Sequence, residues 1–598
     1  VIGTYAVVLV VSGASLAIGQ AALALCGARR WSWLSPAVGL ALVCALCWGS
    51  VRLPGDGAVS AVAAAALALG SVVFLRGRVE GGGEALRAGG PVALVALLAA
   101  SLPFLAEGHF GILGTSFNPD MSQHLLATAR LADGEGSQLL QQGYPLGPHA
   151  VVVALQKGLG IGLVQGFSGL TVAVAVLAPL TALGAFHSLR PLPRTGAALV
   201  VGLAYVVASY FAQGAFKETM QALFLLAFVL ALRESDDPEW RERSLRLVPA
   251  GLIAVGSVYA YSFPGLIWLV PVLAIWLVLE RGAPLRSPRS LLLGLLAFAV
   301  LVAPEIGRML DFQRFETFDP HGPGLGNLFG QVSPFEALGI WPSGDFRLAP
   351  GDGAVPAIGY YLGIAFALAL LAWGAVECWR RRERAVLAGL GAAALVYLAA
   401  RLGGTPYTAA KAIEIAAPIM SLTILVPLLS NAVGFVPAYR EKSPPIPAGA
   451  RGKAPLAPLV AGLFLFLAGA CSLLALANAP VGPTSYSPAL TGLRPLLAAD
   501  STLVLASPEL LSEQHGTPYI SWELRGGRVC IKSSAEAGGR ITPGVRFVVS
   551  EGDGAPYPGL RLRRAAGAYR LWETTRAPSG ESPCPLIAVR QARQGPAR

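Results

Sequence analysis

Apolar runs of about 17–25 residues recur along most of this 598-residue chain, each long enough to cross the hydrocarbon core of a bilayer. They begin at 4–26 and continue to 456–477. Only 13% of the residues are charged, where a soluble protein carries about 25%. The mean hydropathy is +0.60. A soluble enzyme is excluded, and a polytopic α-helical membrane protein of roughly 13–15 spans is expected.

The net charge of +11 is not a nucleic-acid signal, because much of the Lys and Arg falls in short loops between apolar runs. Such loops stay on the cytoplasmic side. No basic segment precedes the first apolar run, so no cleavable signal peptide is expected. Arg29, Arg30, Arg76, Arg78, Arg87, Arg190 and Arg194, then "RESDDPEWRERSLR" (233–246), "RGAPLRSPR" (281–289), "WRRRER" (379–384) and "YREKSPPIPAGARGK" (439–453), share one side only if 147–165 does not cross. That segment is therefore read as an interfacial or re-entrant helix. The loops 107–146, 212–218, 305–353 and 401–411 then face the other side, together with the C-terminal region from 480 onward.

Three parts follow. Residues 1–90 form N-terminal extra helices, and 91–479 a membrane core with large loops at 107–146 and 305–353. Residues 480–598 form a small extracytoplasmic α/β or β-rich domain. Within the last, "STLVLASPEL", "GRVCIKS", "GVRFVVSEG", "YRLWET" and "PLIAVRQ" read as short strands between Gly and Pro turns. Cys530 and Cys584 form a disulfide there if the region is outside the cytoplasm. Cys26, Cys44, Cys47, Cys378 and Cys471 lie in or beside apolar runs and read as packing, the Cys44-x-x-Cys47 spacing included.

The polar groups that could carry chemistry sit where spans end. Asp120 follows Pro119 and opens "DMSQHLLATARLADG", an amphipathic helix with His124 one turn on. Asp120 is either a helix cap or a general base, or a metal ligand with His124. Two such donors are too few for a structural metal, so the motif allows only a weakly bound divalent cation. "GYPLGPH" places Tyr144 and His149 at a rigid turn, either packed or lining a substrate pocket. Lys217 and Glu218 are a loop ion pair, or Lys217 meets a phosphate. Lys411 and Glu414 open an apolar span as a local pair with Lys411 snorkelling; ionisable groups inside a span otherwise mark function. Arg401 or Lys411 would supply a cation for a lipid-linked phosphate, with Tyr407 beside them. The 305–353 loop, bearing Glu305, Arg308, Asp311, Arg314, Glu316, Asp319 and His321, is long enough to be a lid.

This pattern resembles the GT-C superfamily of polyprenyl-phosphate-dependent membrane glycosyltransferases. The likeness lies in "NPDMSQHL" in the first large loop, "GYPLGPH", "FKE" after a later span, "TPYTAAKAIEIAAP" late in the membrane part, and the C-terminal domain. It covers most of 91–598, with the first three spans added in front. It implies an inverting glycosyltransferase in a bacterial plasma membrane. Such an enzyme moves sugar from a polyprenyl-phosphate donor to a glycan, lipid or protein acceptor at the outer face. By position Asp120 would be the base that deprotonates the acceptor hydroxyl, with His124 orienting it. Lys217, Arg401 and Lys411 would meet the phosphate, beside Glu218, and Tyr144, His149 and Tyr407 the sugar or acceptor. The alternatives are an O-antigen polymerase or ligase, which would rest on Arg308, Arg314 and His321, and a lipid-linked transporter or flippase. No internal repeat supports the last.

Overall fold

The computed structural model describes residues 1–114, 120–134, 138–186, 189–236, 243–282, 288–314, 324–432, 456–482, 487–497, 500–511, 516–536, 541–575 and 581–584. Glu316, Asp319, His321 and the expected strand at 585–591 lie outside them. The chain divides into two compact units, 1–106 with 142–479 and 107–141 with 480–598.

The first unit is helical. It starts with α1 (Ile2–Leu25), α2 (Ser35–Ser50), α3 (Asp56–Leu75) and α4 (Gly82–Ala106). After α5 (Asp120–Ala132) and α6 (Gln138–Gln141) of the second unit, it resumes as α7 (Gly147–Leu159), α8 (Leu163–Phe186), α9 (Pro191–Gly202), α10 (Tyr205–Ala212) and α11 (Phe216–Glu234). It ends with α12 (Val248–Tyr261), α13 (Leu266–Leu279), α14 (Arg289–Val302), α15 (Ile306–Gln313), α16 (Ala357–Arg381), α17 (Arg384–Gly403), α18 (Pro406–Ala432) and α19 (Leu456–Ala477). Among the described residues nine helices are long and apolar enough to cross a membrane. The α9–α10 pair, bent by 56°, and three shorter apolar helices accompany them. The architecture is the expected polytopic one.

Small residues let these helices touch, since lipid offers no hydrophobic drive for helix association. A Cβ at Gly39 would overlap the Ser15 carbonyl, and one at Gly19 the Ser35 carbonyl, so α1 and α2 meet backbone to backbone.

The bundle has two chemically different ends. At one, the Arg29 carbonyl accepts from the Glu80 amide at 2.8 Å, Ser32 donates to Glu234, Arg233 grips Glu383 through two bonds of 2.7 and 2.9 Å, and Arg384 pairs with Glu280. The described basic residues Arg29, Arg233, Arg243 and Arg384 of the expected loops lie here, while 439–453 lies outside the described residues. At the other end Tyr5 donates to Ser101 at 2.9 Å, Trp48 to Glu305 at 2.6 Å, and Tyr259 to the Leu301 carbonyl at 2.8 Å.

Helix α7 starts and finishes at this second end. Its Gly147 rests on the Tyr259 carbonyl, and Val153 and Lys157 rest on Gly57 at the start of α3. Its 13 residues span about 20 Å, short of a full crossing. It runs along the end of the bundle, as the charge pattern requires.

The 324–356 segment is ordered by burial. Leu338 and Trp341 are buried, and Gly363 of α16 leaves room for Ile340. Asp345 and Arg347 form a two-pronged pair at 2.7–3.2 Å. Glu336 is also buried, and burial pushes its carboxyl well above the ordinary carboxylate range.

The second unit carries a five-stranded sheet, β1 (Ser501–Ala506), β2 (Arg528–Ser533), β3 (Phe547–Glu551), β4 (Leu560–Ala566) and β5 (Tyr569–Thr574), in the order β2-β1-β3-β5-β4. β1 is parallel to β2 and β3; β5 is antiparallel to β3 and β4. Strand β4 was not among the expected strands. Its Arg561, Arg563 and Arg564 hide the alternation, and as an edge strand it is exposed on both faces. The core holds Leu503, Leu505, Val548, Tyr557 and Trp572. Short helices α20 (Ser487–Leu497), α21 (Pro508–Leu511) and α22 (Gly516–Glu523) complete the unit, and α5 packs on α22. Residues 107–114 join by pairing with 480–482: Gly114 donates to the Pro480 carbonyl at 2.8 Å and Gly482 to that of Ile112 at 2.6 Å.

Cys530 and Cys584 are bonded, across 54 residues of sequence. Closing a loop of that length stabilises by about 4 kcal/mol on the chain-entropy account. Reduction of the intact protein should therefore lower hydrogen-exchange protection of the β1 and β2 amides by about three orders of magnitude. Protection unchanged by reductant would show that the sheet does not depend on the bridge.

Candidate functional site

The site end of the first unit gathers charge around two pairs of helices. Lys411 lies in the second turn of α18, an otherwise apolar helix, and Glu218 in the first turn of α11. Their side chains meet at 3.0 Å, both largely buried. Tyr261, the last residue of α12, donates to the same Glu218 oxygen at 3.3 Å. The Lys411 ammonium also lies 4.4 Å over the Tyr407 ring, one turn back on its own helix. Tyr407 is held from the far side: its amide donates to the Gly324 carbonyl, and its ring packs against Gly326.

This pairing corrects both local alternatives. Lys217 and Glu218 are not each other's ion pair, and Glu414 does not pair with Lys411. Glu414 is fully buried, and neither of its oxygens has a hydrogen-bond partner among the described residues. A cation in a low-dielectric interior is stabilised by the carboxylate that can be held closest and hydrogen-bonded. The α11 residue offers that, with Tyr261 satisfying it further.

Lys217, next in sequence, points to a second group. Its ammonium sits 4.3 Å over the Tyr144 ring. Tyr144 is wedged edge-on against Phe312 and His149, and its carbonyl accepts from Arg308 at 2.6 Å. His149 is wholly buried among Tyr144, Phe167 and Phe216, and burial lowers its pKa to about 3. It is a neutral ring that braces Tyr144, not a cation. Arg308 pairs with Glu305 at 3.3 Å, and Glu305 in turn holds Arg52 at 3.3 Å and Trp48.

Tyr144, His149, Lys217, Glu218, Tyr407 and Lys411 thus belong to one neighbourhood of the first unit. Arg401 is exposed in the last turn of α17, outside these contacts. Asp120 and His124 belong to the second unit. Asp120 is exposed in the first turn of α5, and His124 is buried one turn on. Among the described residues no group of three or more His, Cys, Asp or Glu could hold a metal.

Sequence reasoning missed Arg52, Trp48 and Tyr261. For Arg52 a signal existed. "SVRLPGD" puts an arginine at the loop end opposite the basic loops, where charge placement gives it no reason to be. Trp48 and Tyr261 read as ordinary span residues.

No family model and no curated protein matches the chain. Among solved structures, the arabinofuranosyltransferase AftD from Mycobacteria superposes with a TM-score of 0.51 at 15% identity, over 82% of this chain and 40% of that one. The chain adopts the GT-C fold. It spans less than half the length of the AftD chain. Looser likenesses are to ArnT from Cupriavidus metallidurans (TM-score 0.45, 14% identity, 80% of this chain and 96% of that) and to the oligosaccharyltransferase AglB from Archaeoglobus fulgidus, solved with an inhibitory peptide and a dolichol-phosphate (0.41, 14%, 77% and 69%). On the GT-C fold of this chain, the charged cluster lies at the bundle end opposite the basic loops.

The buried ion pair has a measurable consequence. Glu218→Gln leaves Lys411 as an uncompensated buried charge and should cost about 3–5 kcal/mol. The double variant Glu218→Gln/Lys411→Met should be more stable than Glu218→Gln alone. Thermal unfolding in one detergent checks this, and additive losses would refute the coupling.

Proposed function

We propose that the protein is an integral-membrane, inverting glycosyltransferase that takes sugar from a polyprenyl-phosphate donor and passes it to a cell-envelope glycan, lipid or protein. The observation that carries the reading is the gathering of basic side chains, Arg52, Lys217, Arg308 and Lys411, at one end of a GT-C bundle. An anionic leaving group is stabilised by such cations in a partly desolvated place. The opposite end carries the basic loops, so by the distribution of Lys and Arg it is cytoplasmic and the cluster is outside. A bacterial plasma membrane with the C-terminal domain outside suits that orientation, and a disulfide in that domain suits an oxidising compartment.

In this reading Asp120 takes the proton of the acceptor hydroxyl as its oxygen attacks the anomeric carbon. The bond from that carbon to the donor phosphate oxygen breaks, and the phosphate leaves with the electron pair. One displacement inverts the anomeric centre. His124, one turn from Asp120, orients it or shares its proton. Lys217, Lys411 and Arg401 are the candidate cations for the developing phosphate charge. Tyr144 and Tyr407, each beneath a lysine, fix those cations, and the half-buried Tyr407 is suited to sugar contact.

Asp120→Asn should lower the rate of transfer by at least a hundredfold, the ordinary scale for loss of a general base, with an unchanged unfolding temperature. Near-normal turnover of a polyprenyl-phosphate sugar by that variant would remove Asp120 from the mechanism.

A further inference from the structure

Two arginines of the second unit meet the same helix end without a carboxylate. In Arg494, on α20, Nε donates to the Glu523 carbonyl at 2.7 Å and Nη2 to the Thr491 hydroxyl at 3.3 Å. In Arg525, just past α22, Nη1 donates to the Trp522 carbonyl at 2.7 Å, and the guanidinium lies 4.6 Å over the Trp522 ring. Among the described residues neither arginine forms a salt bridge, and Arg494 Nη1 and Arg525 Nε and Nη2 make no hydrogen bond. The indole N–H of Trp522, a residue only 7% exposed, has no acceptor among them either.

An arginine at a helix C-terminus ordinarily caps its carbonyls. A second guanidinium there adds repulsion between like charges in a partly desolvated place. Burial first, and Arg494 next, lower the Arg525 guanidinium to about 10, so it stays a cation at neutral pH. Glu523 and Asp133 act on both arginines from beyond salt-bridge reach, and the Glu523 carboxylate accepts instead from Thr491. Both arginines are half-buried, and Thr491, Pro495 and Gly526 around them are exposed, so a water-borne molecule can reach them.

The geometry points to an oxyanion subsite on the second unit: Arg494, Arg525 and the Trp522 N–H bind a carboxylate or phosphate carried by a glycan. Guanidinium groups suit this because they give paired N–H bonds to such oxygens and give up hydration more readily than an ammonium. Arg130, in the last turn of α5, and Asp133, just beyond it, act on Arg525. The subsite therefore lies at the end of α5 remote from Asp120, about 15 Å along that helix. As a subsite for the acceptor it rests on the reading of Asp120 as the base, and it makes that acceptor an acidic glycan that reaches along α5.

The test titrates the full chain, in nanodiscs of phosphatidylcholine, with oligogalacturonate, a phosphorylated malto-oligosaccharide and a neutral malto-oligosaccharide of equal length, by isothermal titration calorimetry. Wild type should bind one of the acidic oligomers at least tenfold more tightly than the neutral one, and which one it prefers tells carboxylate from phosphate. Methyl-esterified oligogalacturonate, which keeps the sugars and loses the charge, should bind no better than the neutral oligomer. Arg525→Gln should remove the preference, and Arg525→Lys should keep part of it. Both arginines also cap α22, so the site is located in the wild type as well: the bound acidic oligomer should raise hydrogen-exchange protection in α20 and α22. Binding is read without turnover. Its failure leaves the Asp120 reading standing, and normal turnover by Asp120→Asn leaves this site standing. Equal binding of acidic and neutral oligomers by wild type overturns the inference. So does an undiminished preference in Arg525→Gln, or protection confined to other elements.

Discussion

A lysine inside a helical bundle must find a carboxylate or be neutralised, and the site end of this protein is arranged around that requirement. Lys411 meets Glu218 at 3.0 Å, and the pair ties α18 to α11. Tyr261 adds α12 through the same carboxylate. Tyr407 adds the 324–356 segment through Gly324 and Gly326. One ion pair thus sets the spacing of three helices and one loop. A buried pair of this kind contributes more to specificity of arrangement than to net stability, because desolvation offsets much of the attraction.

The two ends of the bundle divide the work. At the end with the basic loops, arginines are matched closely by glutamates, as in Arg233–Glu383 and Arg384–Glu280. These contacts join loops and hold position. At the other end cations lie over aromatic rings, and both ends of α7 lie at this end of the bundle. A short helix there widens the polar layer without adding a span. Lipid-carried and water-borne molecules can meet in such a layer and nowhere deeper.

The spans were legible in the sequence because hydrocarbon thickness imposes a long, uniform signal. The lie of α7 was legible through charge, since a crossing would have put the later basic loops on the wrong side. Strand β4 was not legible: three arginines on a two-face-exposed edge leave no alternation to read. The site was legible in part. Tyr144, Lys217, Tyr407 and Lys411 stood out as polar groups at span ends, and they gather as neighbours. The partner of Lys411 was not readable, because Glu218 is remote in sequence while Glu414 is one turn away. Arg52 was passed over as one basic residue among many, although its position at the basic-poor end set it apart.

The central claim is that a lipid-carried sugar is consumed at this end of the bundle. The most direct measurement is native mass spectrometry of the lipids that co-purify with the wild type and with Asp120→Asn in mild detergent. The account predicts an intact polyprenyl-phosphate sugar retained by the variant and spent polyprenyl phosphate on the wild type. The same intact lipid-sugar on both would contradict it and favour a carrier or flippase.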